Sequence, residues 1–220
     1  MESIEEQYRA HFKDYEDLGA VHLGPMTSAT WRNDPKRLMI VLSRYKFVSK
    51  MLAGFNSVLE IGCGDAWASK IVMEQVKHLT LSDMDVVWQD HVKESYGDTL
   101  DFELIDFTKD SSLQNYDAIY ALDVLEHIKR EEMQNFLLNI RKSLCSSGVT
   151  IIGTPSLESQ KYASRGSQLG HVNCMSGDFF KEVLEANFQR VFLFSMNDEV
   201  IHTGFYKMAH YLIGICVNPK

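Results

Sequence analysis

The chain has 220 residues, 45% of them apolar and 24% charged, with a formal net charge of −8. That length suits one domain with a sizeable core, the balance is that of an ordinary globular protein, and the acidic sign argues against a general nucleic-acid binder, which needs a basic field. Cys63, Cys145, Cys174 and Cys216 show no C-x-x-C spacing, so neither a zinc site nor a disulfide framework is expected; without a leader pattern or an apolar run of about 18 residues, the chain reads as cytoplasmic with no membrane partner.

Residues 2–17 are charged, with Ile4, Tyr8, Phe12 and Tyr15 at three- and four-residue spacing, a thin amphipathic helix. Residues 22–34 read as a loop containing Gly24-Pro25 and Trp31-Arg32. Asp34-Pro35 has the form of a helix start, an acid at the N-cap followed by proline. The helix predicted over 35–52 places Leu38, Val41, Leu42, Tyr45, Val48 and Leu52 on one face, with Arg37, Arg44, Lys46 and Lys50 as its charges.

The stretch around which the chain is organised spans 58–71. Residues 57–61 form a short apolar run, a strand buried on both faces. It enters Gly62-Cys63-Gly64, where two glycines let the backbone turn sharply and approach a ligand. Asp65 then precedes a helix predicted over 66–76. A dinucleotide fingerprint wants a third glycine where this chain has Trp67, which would obstruct close helix–strand packing. Glu60, Gly62 and Gly64 instead make Glu-x-Gly-x-Gly, with Ala66 at the third small position. A glycine pair after a strand also occurs as a plain tight turn.

A second strand, 79–82, ends at Asp83, about twenty residues past the glycine turn, the spacing of a ribose-binding carboxylate. Asp83 ends the strand directly; Asp85 suits the cap of the helix 86–96. A third strand, 101–105, ends at Asp106-Phe107, and a fourth, 116–121, at Leu122-Asp123. A helix is predicted over 124–145 and a fifth strand over 149–152. Strands alternating with helices imply a parallel sheet with right-handed crossovers. Residues 154–174 lack periodicity, and so long a loop is usually functional. A helix over 177–187, a strand over 190–195, a loop over 196–207 and a strand over 210–217 complete the chain as one domain.

With these strand ends aligned, residues 57–153 resemble the class I S-adenosylmethionine (SAM) methyltransferases, and Asp123-Val-Leu-Glu-His127 is similar to a segment common in their small-molecule branch. The resemblance implies a Rossmann-like α/β fold: a seven-stranded, mostly parallel sheet with an antiparallel last strand and helices on both faces. It divides the chain into a helical cap (1–52), a SAM-binding core (53–153) and an acceptor-side loop with the final strands (154–220). It also implies roles. Gly62 and Gly64 pack on the methionine part of SAM, with Glu60, Cys63 and Met84 beside them. Asp83 accepts from both ribose hydroxyls, Asp106 takes the adenine amino group beside Phe107, and Leu122-Asp123 faces the ammonium. SAM and its product S-adenosylhomocysteine are then the cofactor pair, with no metal.

Methyl transfer to a hydroxyl needs a base, whereas a neutral amine does not. His171, in the loop after the fifth strand, is the candidate base, its alternative being a residue that pins the loop; His127 reads as structural or as a wall of the cofactor pocket. Trp31, Arg32, Arg44, Tyr162, Arg165 and Asn173 are the candidate substrate contacts. They suggest a small polar acceptor, phosphorylated or nucleotide-linked. The chain also looks like bacterial methyltransferases of which some are associated with surface-polysaccharide pathways. A silent SAM-binding module and a nicotinamide oxidoreductase are the competing readings. A nucleic-acid methyltransferase is disfavoured by charge and by the lack of an Asn-Pro-Pro-aromatic motif. Oligomeric state is open, a homodimer among the options.

Overall fold

A computed structural model describes residues 5–220; the start of the predicted helix 2–17, Ile4 included, lies outside the described residues. The elements run α1 (Glu6–Leu18), α2 (Pro25–Asn33), α3 (Lys36–Met51), β1 (Ser57–Ile61), α4 (Lys70–Met73), β2 (His78–Asp83), α5 (Val86–Tyr96), β3 (Asp101–Leu104), β4 (Tyr116–Leu122), α6 (Met133–Lys142), β5 (Leu144–Pro155), α7 (Arg165–Gly170), α8 (Gly177–Asn187), β6 (Phe188–Asn197), β7 (Val200–His202) and β8 (Tyr211–Pro219).

The sheet order is β3-β2-β1-β4-β5-β8-β6-β7. Strands β1 to β5 pair in parallel, β8 runs antiparallel between β5 and β6, and β7 folds back on β6. The architecture is Rossmann-like, and its eighth strand is the three-residue β7, inside the predicted loop 196–207. Each central strand is apolar on both faces because helices cover both. Val58, Tyr120 and Ile151 face a layer with Val48 and Leu52 of α3, while their neighbours Leu59, Ile119 and Ile152 face Phe136 and Leu137 of α6 and Phe180 of α8. The order reverses between β1 and β4, so a crevice opens at their carboxyl ends, where open α/β sheets bind ligands.

Four local departures from the sequence reading have physical causes. Residues 25–33 are helical: Pro25 stands at the first position, and the Thr27 N–H and hydroxyl donate to the Asp65 carboxylate at 2.7 and 3.1 Å. Tertiary bonding thus orders a segment without strong helical periodicity. Asp34 makes no side-chain cap for α3; its N–H instead closes α2 on the Thr30 carbonyl. The helix predicted over 66–76 shrinks to α4 because Gly64 and Ala66 hold left-handed φ values of 53° each and prolong the turn. The helix predicted over 124–145 divides into a 3₁₀ turn, Leu125–His127, and α6, since Ile128 is extended and inserts into the core.

Candidate active site

The glycine turn is built by backbone bonds before any side chain acts. Gly62 and Cys63 donate their N–H groups to the Ser82 carbonyl at 2.8 and 3.0 Å, tying the turn to the end of β2. Gly62 has φ 74°, and a Cβ there would stand 2.5 Å from Val124 Cγ2. Both conformation and packing therefore demand glycine. Asp83 receives the Gly64 N–H on Oδ2 at 3.2 Å and the Asp85 N–H on Oδ1 at 3.1 Å. Its carboxylate is locked at the edge, with further lone pairs on both oxygens. Asp85 caps α5 through the Val87 N–H.

Glu60 sits elsewhere than the sequence reading placed it. Its carboxylate is 1% exposed and accepts from the Tyr45 hydroxyl at 2.8 Å and the Tyr120 hydroxyl at 2.6 Å. It ties α3 to the sheet beneath the turn and lines no part of the cleft. Burial raises its pKa, against the lowering effect of the tyrosine bonds. Cys63 lines the cleft, its thiol pushed far up by burial and by Glu60. Met84 is exposed and Phe107 is packed in the core. Asp106 accepts from the Thr108 N–H and hydroxyl and pairs with Lys109 at 2.7 Å. Burial would raise the Asp106 pKa, but these bonds outweigh it and hold the carboxyl low.

At the end of β4, Asp123 has φ 57°. Its N–H reaches the Gly153 carbonyl at 3.1 Å and the Tyr211 hydroxyl at 3.2 Å. Both carboxylate oxygens accept from Arg44 Nη1, at 2.9 and 2.7 Å. The Arg44 guanidinium lies 3.6 Å from the centroid of the Tyr211 ring. Burial works against its charge, yet Asp123, Tyr211 and Glu126 together more than compensate and the Arg44 pKa rises. Arg44 was a candidate acceptor contact; its charge is committed to Asp123.

Across the turn lies a cleft of about 900 Å³. Gly62, Gly64, Leu122 and Asp123 form one wall, and Thr27, Thr30 and Val41 of the amino-terminal helices another. Tyr162, 80% exposed, borders the acceptor side with Ser159 and Ser164. The remaining predicted contacts are not gathered there. Trp31 is 58% exposed on the surface, Arg32 and Arg165 are also exposed, and all three lie off the cleft lining. Asn173 is buried and bonds Arg130 Nε and Met133 Sδ.

His171 does face the cleft, together with His127, read from the sequence as structural or as a pocket wall, and Glu126, which the sequence reading left without a role. The Glu126 carbonyl accepts the N–H groups of Val172 and Asn173 at 2.8 and 3.0 Å, stitching the 3₁₀ turn to the segment after α7. The His127 and His171 rings consequently meet edge to face, centroids 5.2 Å apart. His127 Nδ1 is 2.9 Å from the Gly170 carbonyl and His171 Nδ1 is 3.0 Å from Gln160 Oε1. Both partners are acceptors, so each Nδ1 bears the proton and each Nε2 is left free in the neutral ring. Burial, then His127, lowers the His171 pKa. Glu126 is fully buried, takes the Thr154 hydroxyl on Oε2 at 3.2 Å and has no partner on Oε1. Burial and the Asp123 charge push its pKa up to about 8. Its signal was present in Asp-Val-Leu-Glu-His: three residues past the strand-end acid, a 3₁₀ turn brings it back over the sheet edge.

A family model described as a methyltransferase domain matches residues 30–189. Among curated protein sequences none matches significantly. The chain is similar in fold to the N-methyltransferase NodS of Bradyrhizobium japonicum WM9, solved with S-adenosyl-L-homocysteine (18% identity, 86% of this chain and 92% of that one, TM-score 0.61). It is also similar to a TehB-like SAM-dependent methyltransferase of Corynebacterium glutamicum (15% identity, 98% and 97%, TM-score 0.62).

Proposed function

The chain belongs to the methyltransferase-domain family of class I SAM-dependent enzymes, and from that premise we propose that it methylates an oxygen or nitrogen of a small polar metabolite bound in the cleft. The observation that carries this reading is the opening of the glycine turn and the Asp123 corner into the same cleft as His171. The residues present fit the cofactor. Gly62 and Gly64 remove the side chains that would fill its cradle, and Asp83 keeps lone pairs for two adjacent hydroxyls while two N–H groups fix its carboxylate. Bound SAM supplies a methyl group activated on a sulfonium.

This chain's own groups do the rest. The Leu122-Asp123 backbone lies at the edge where the cofactor's amino acid end would rest, braced by Arg44 and Tyr211. Thr27, bonded to Asp65, holds α2 against the glycine turn and narrows the access of water. In the metal-free protein His171 Nε2 is the lone pair that receives the acceptor's proton, and its lowered pKa keeps the ring neutral at physiological pH. Asp106 would take the adenine amino group, with one carboxylate oxygen shared by Thr108 and the other held by Lys109. A phosphorylated or nucleotide-linked acceptor of surface-polysaccharide synthesis, met in the cytoplasm, is compatible with a cleft of this size. Among the described residues no helix is long and apolar enough to cross a membrane.

Titration calorimetry with SAM and with NAD tests the reading. Binding of SAM alone is expected, since Trp67 lines the cleft where a dinucleotide site needs glycine. A protein that bound NAD and not SAM would overturn it. Transfer of labelled methyl from SAM to a component of a metabolite extract then separates an enzyme from a silent binding module.

A further inference from the structure

We propose that Glu126, His127 and His171 form a binding site for one divalent first-row transition ion, which holds and acidifies a hydroxyl of the methyl acceptor. This deepens the function proposed above and rests on it for the acceptor; the ion site itself stands on four observations. One donor atom from each of the three residues lies within 4.8 Å of the others. Three donors arranged round one ion, at about 2.0–2.2 Å each, stand roughly 3.0–3.6 Å apart, so the side chains would draw together by a little over an ångström to close the site. The second observation is the unpartnered Glu126 Oε1, on a fully buried side chain that lines the cleft. A carboxylate oxygen buried without a donor is costly, and a cation is the partner that would relieve it.

Third, both imidazoles are oriented as ligands usually are. Their Nδ1 atoms are engaged by the Gly170 carbonyl and Gln160 Oε1, leaving each Nε2 available. Such outer bonds fix the tautomer and the aim of a ligating histidine. Last, the site is open: His127 is exposed and His171 half-buried at the mouth of the cleft. Coordination positions remain for an incoming ligand. Two imidazoles and one carboxylate select manganese, iron, cobalt or zinc over magnesium and calcium, which prefer oxygen throughout. A hydroxyl bound to such an ion gives up its proton more readily than a free one, and an acceptor with two neighbouring oxygens could occupy two of the open positions. In that state His171 is a ligand and not the base: the ion lowers the pKa of the bound hydroxyl, the proton passes to water in the open cleft, and the oxygen takes the methyl group as its bond to the sulfonium sulfur breaks.

The test uses the chelator-treated full-length protein titrated with Co²⁺, read by calorimetry and by the visible absorption of the bound ion. One equivalent is expected to bind, at least tenfold more weakly in His127→Ala, His171→Ala and Glu126→Gln. Gln160→Ala, which frees His171 Nδ1, should weaken it about 10–100-fold as outer-shell partners do. His127 is exposed, so its variant keeps the test valid if Glu126→Gln fails to fold. Unchanged Co²⁺ affinity in His127→Ala, no binding by the wild type at millimolar Co²⁺, or equal affinity for Mg²⁺ would each overturn the proposal. SAM titrated separately distinguishes the two readings: SAM binding without Co²⁺ binding refutes the ion site and keeps the methyltransferase, whereas Co²⁺ binding without SAM binding does the reverse.

Discussion

The Arg44–Asp123 pair joins the amino-terminal helices to the carboxyl end of β4, and its two ends should fail by different amounts. The Arg44 side chain is 9% exposed and the Asp123 side chain 36%. Removing one partner of a fully buried ion pair costs about 3–5 kcal/mol, because the survivor stays charged and unsolvated. In Asp123→Asn the survivor is the buried guanidinium, whose Nε already lacks a partner. The amide keeps one acceptor oxygen and Asp123 is partly hydrated, so screening reduces the cost to about 2–3 kcal/mol. Asparagine also tolerates the left-handed φ of 57° at this position, so backbone strain does not confuse the comparison. In Arg44→Met the survivor is a carboxylate that water can reach, and the methionine keeps an apolar contact on Tyr211; about 1 kcal/mol is expected. For a chain of this length these losses lower Tm by roughly 4–12 °C and 2–4 °C respectively. Thermal unfolding of both variants and of the double mutant, at low and high salt, measures this. The double mutant should lie closer to Arg44→Met than to the sum. If Arg44→Met costs as much as Asp123→Asn, or if the two effects add, the pair is a surface contact and the reasoning fails.

Asp83→Ala should weaken SAM by about 1–3 kcal/mol, since two ribose hydroxyls lose a charged acceptor; unchanged affinity by calorimetry would remove Asp83 from the site. Tyr120→Phe leaves Glu60 Oε2 without its 2.6 Å donor in a buried setting and should cost about 1–3 kcal/mol in urea unfolding without altering SAM affinity. Burial raises the Glu60 pKa, so the folded chain binds that proton more tightly than the unfolded one. The stability it contributes is full below the ordinary Glu value and is lost as pH rises through the folded value. Glu60→Gln should therefore flatten the dependence of Tm on pH between the ordinary Glu value and the raised folded one, and equal slopes in both proteins would contradict the assignment. Thr27→Val removes the hydroxyl bond to Asp65 but keeps the N–H bond, so hydrogen exchange across α2 should accelerate while β1 stays protected.

How much of this was legible in the sequence depends on which physical signal each part leaves there. The central strands were readable because burial on both faces leaves an apolar run that polar residues would interrupt, as at Val58 and Leu59, both fully buried. Their carboxyl ends were readable as well, since a glycine turn or an acid punctuates each run. Helices α5 and α8 came out at their observed bounds, because each has a side chain that caps it, Asp85 for one and Ser176 for the other, and caps are local chemistry. What failed was decided at long range. Periodicity suggested one helix over 124–145, but the need to bury Ile128 and to turn Glu126 over the sheet edge broke it. Trp31-Arg32 looked like a binding pair, yet Asp65, a residue distant in sequence, fixes the rotation of α2 through Thr27 and leaves Trp31 in solvent.

The acceptor side shows the same division within one residue group. His171 stood out because the loop after the fifth strand lies at the edge of the sheet where an acceptor would face the cofactor, though a histidine that pins the loop was equally open. Its grouping with Glu126 and His127 follows from the bonds of the Val172 and Asn173 backbone to the Glu126 carbonyl, a contact between segments more than forty residues apart. That bond does more than join two loops. It sets the distance between the two imidazoles, so the chemistry available at the cleft, a lone base or a shared ligand set, depends on a pair of main-chain hydrogen bonds that no side-chain pattern records. Replacing Val172 by proline would delete one of them while leaving Glu126, His127 and His171 intact. Loss of Co²⁺ binding in that variant, with SAM affinity retained, is the outcome expected if register alone assembles the acceptor side.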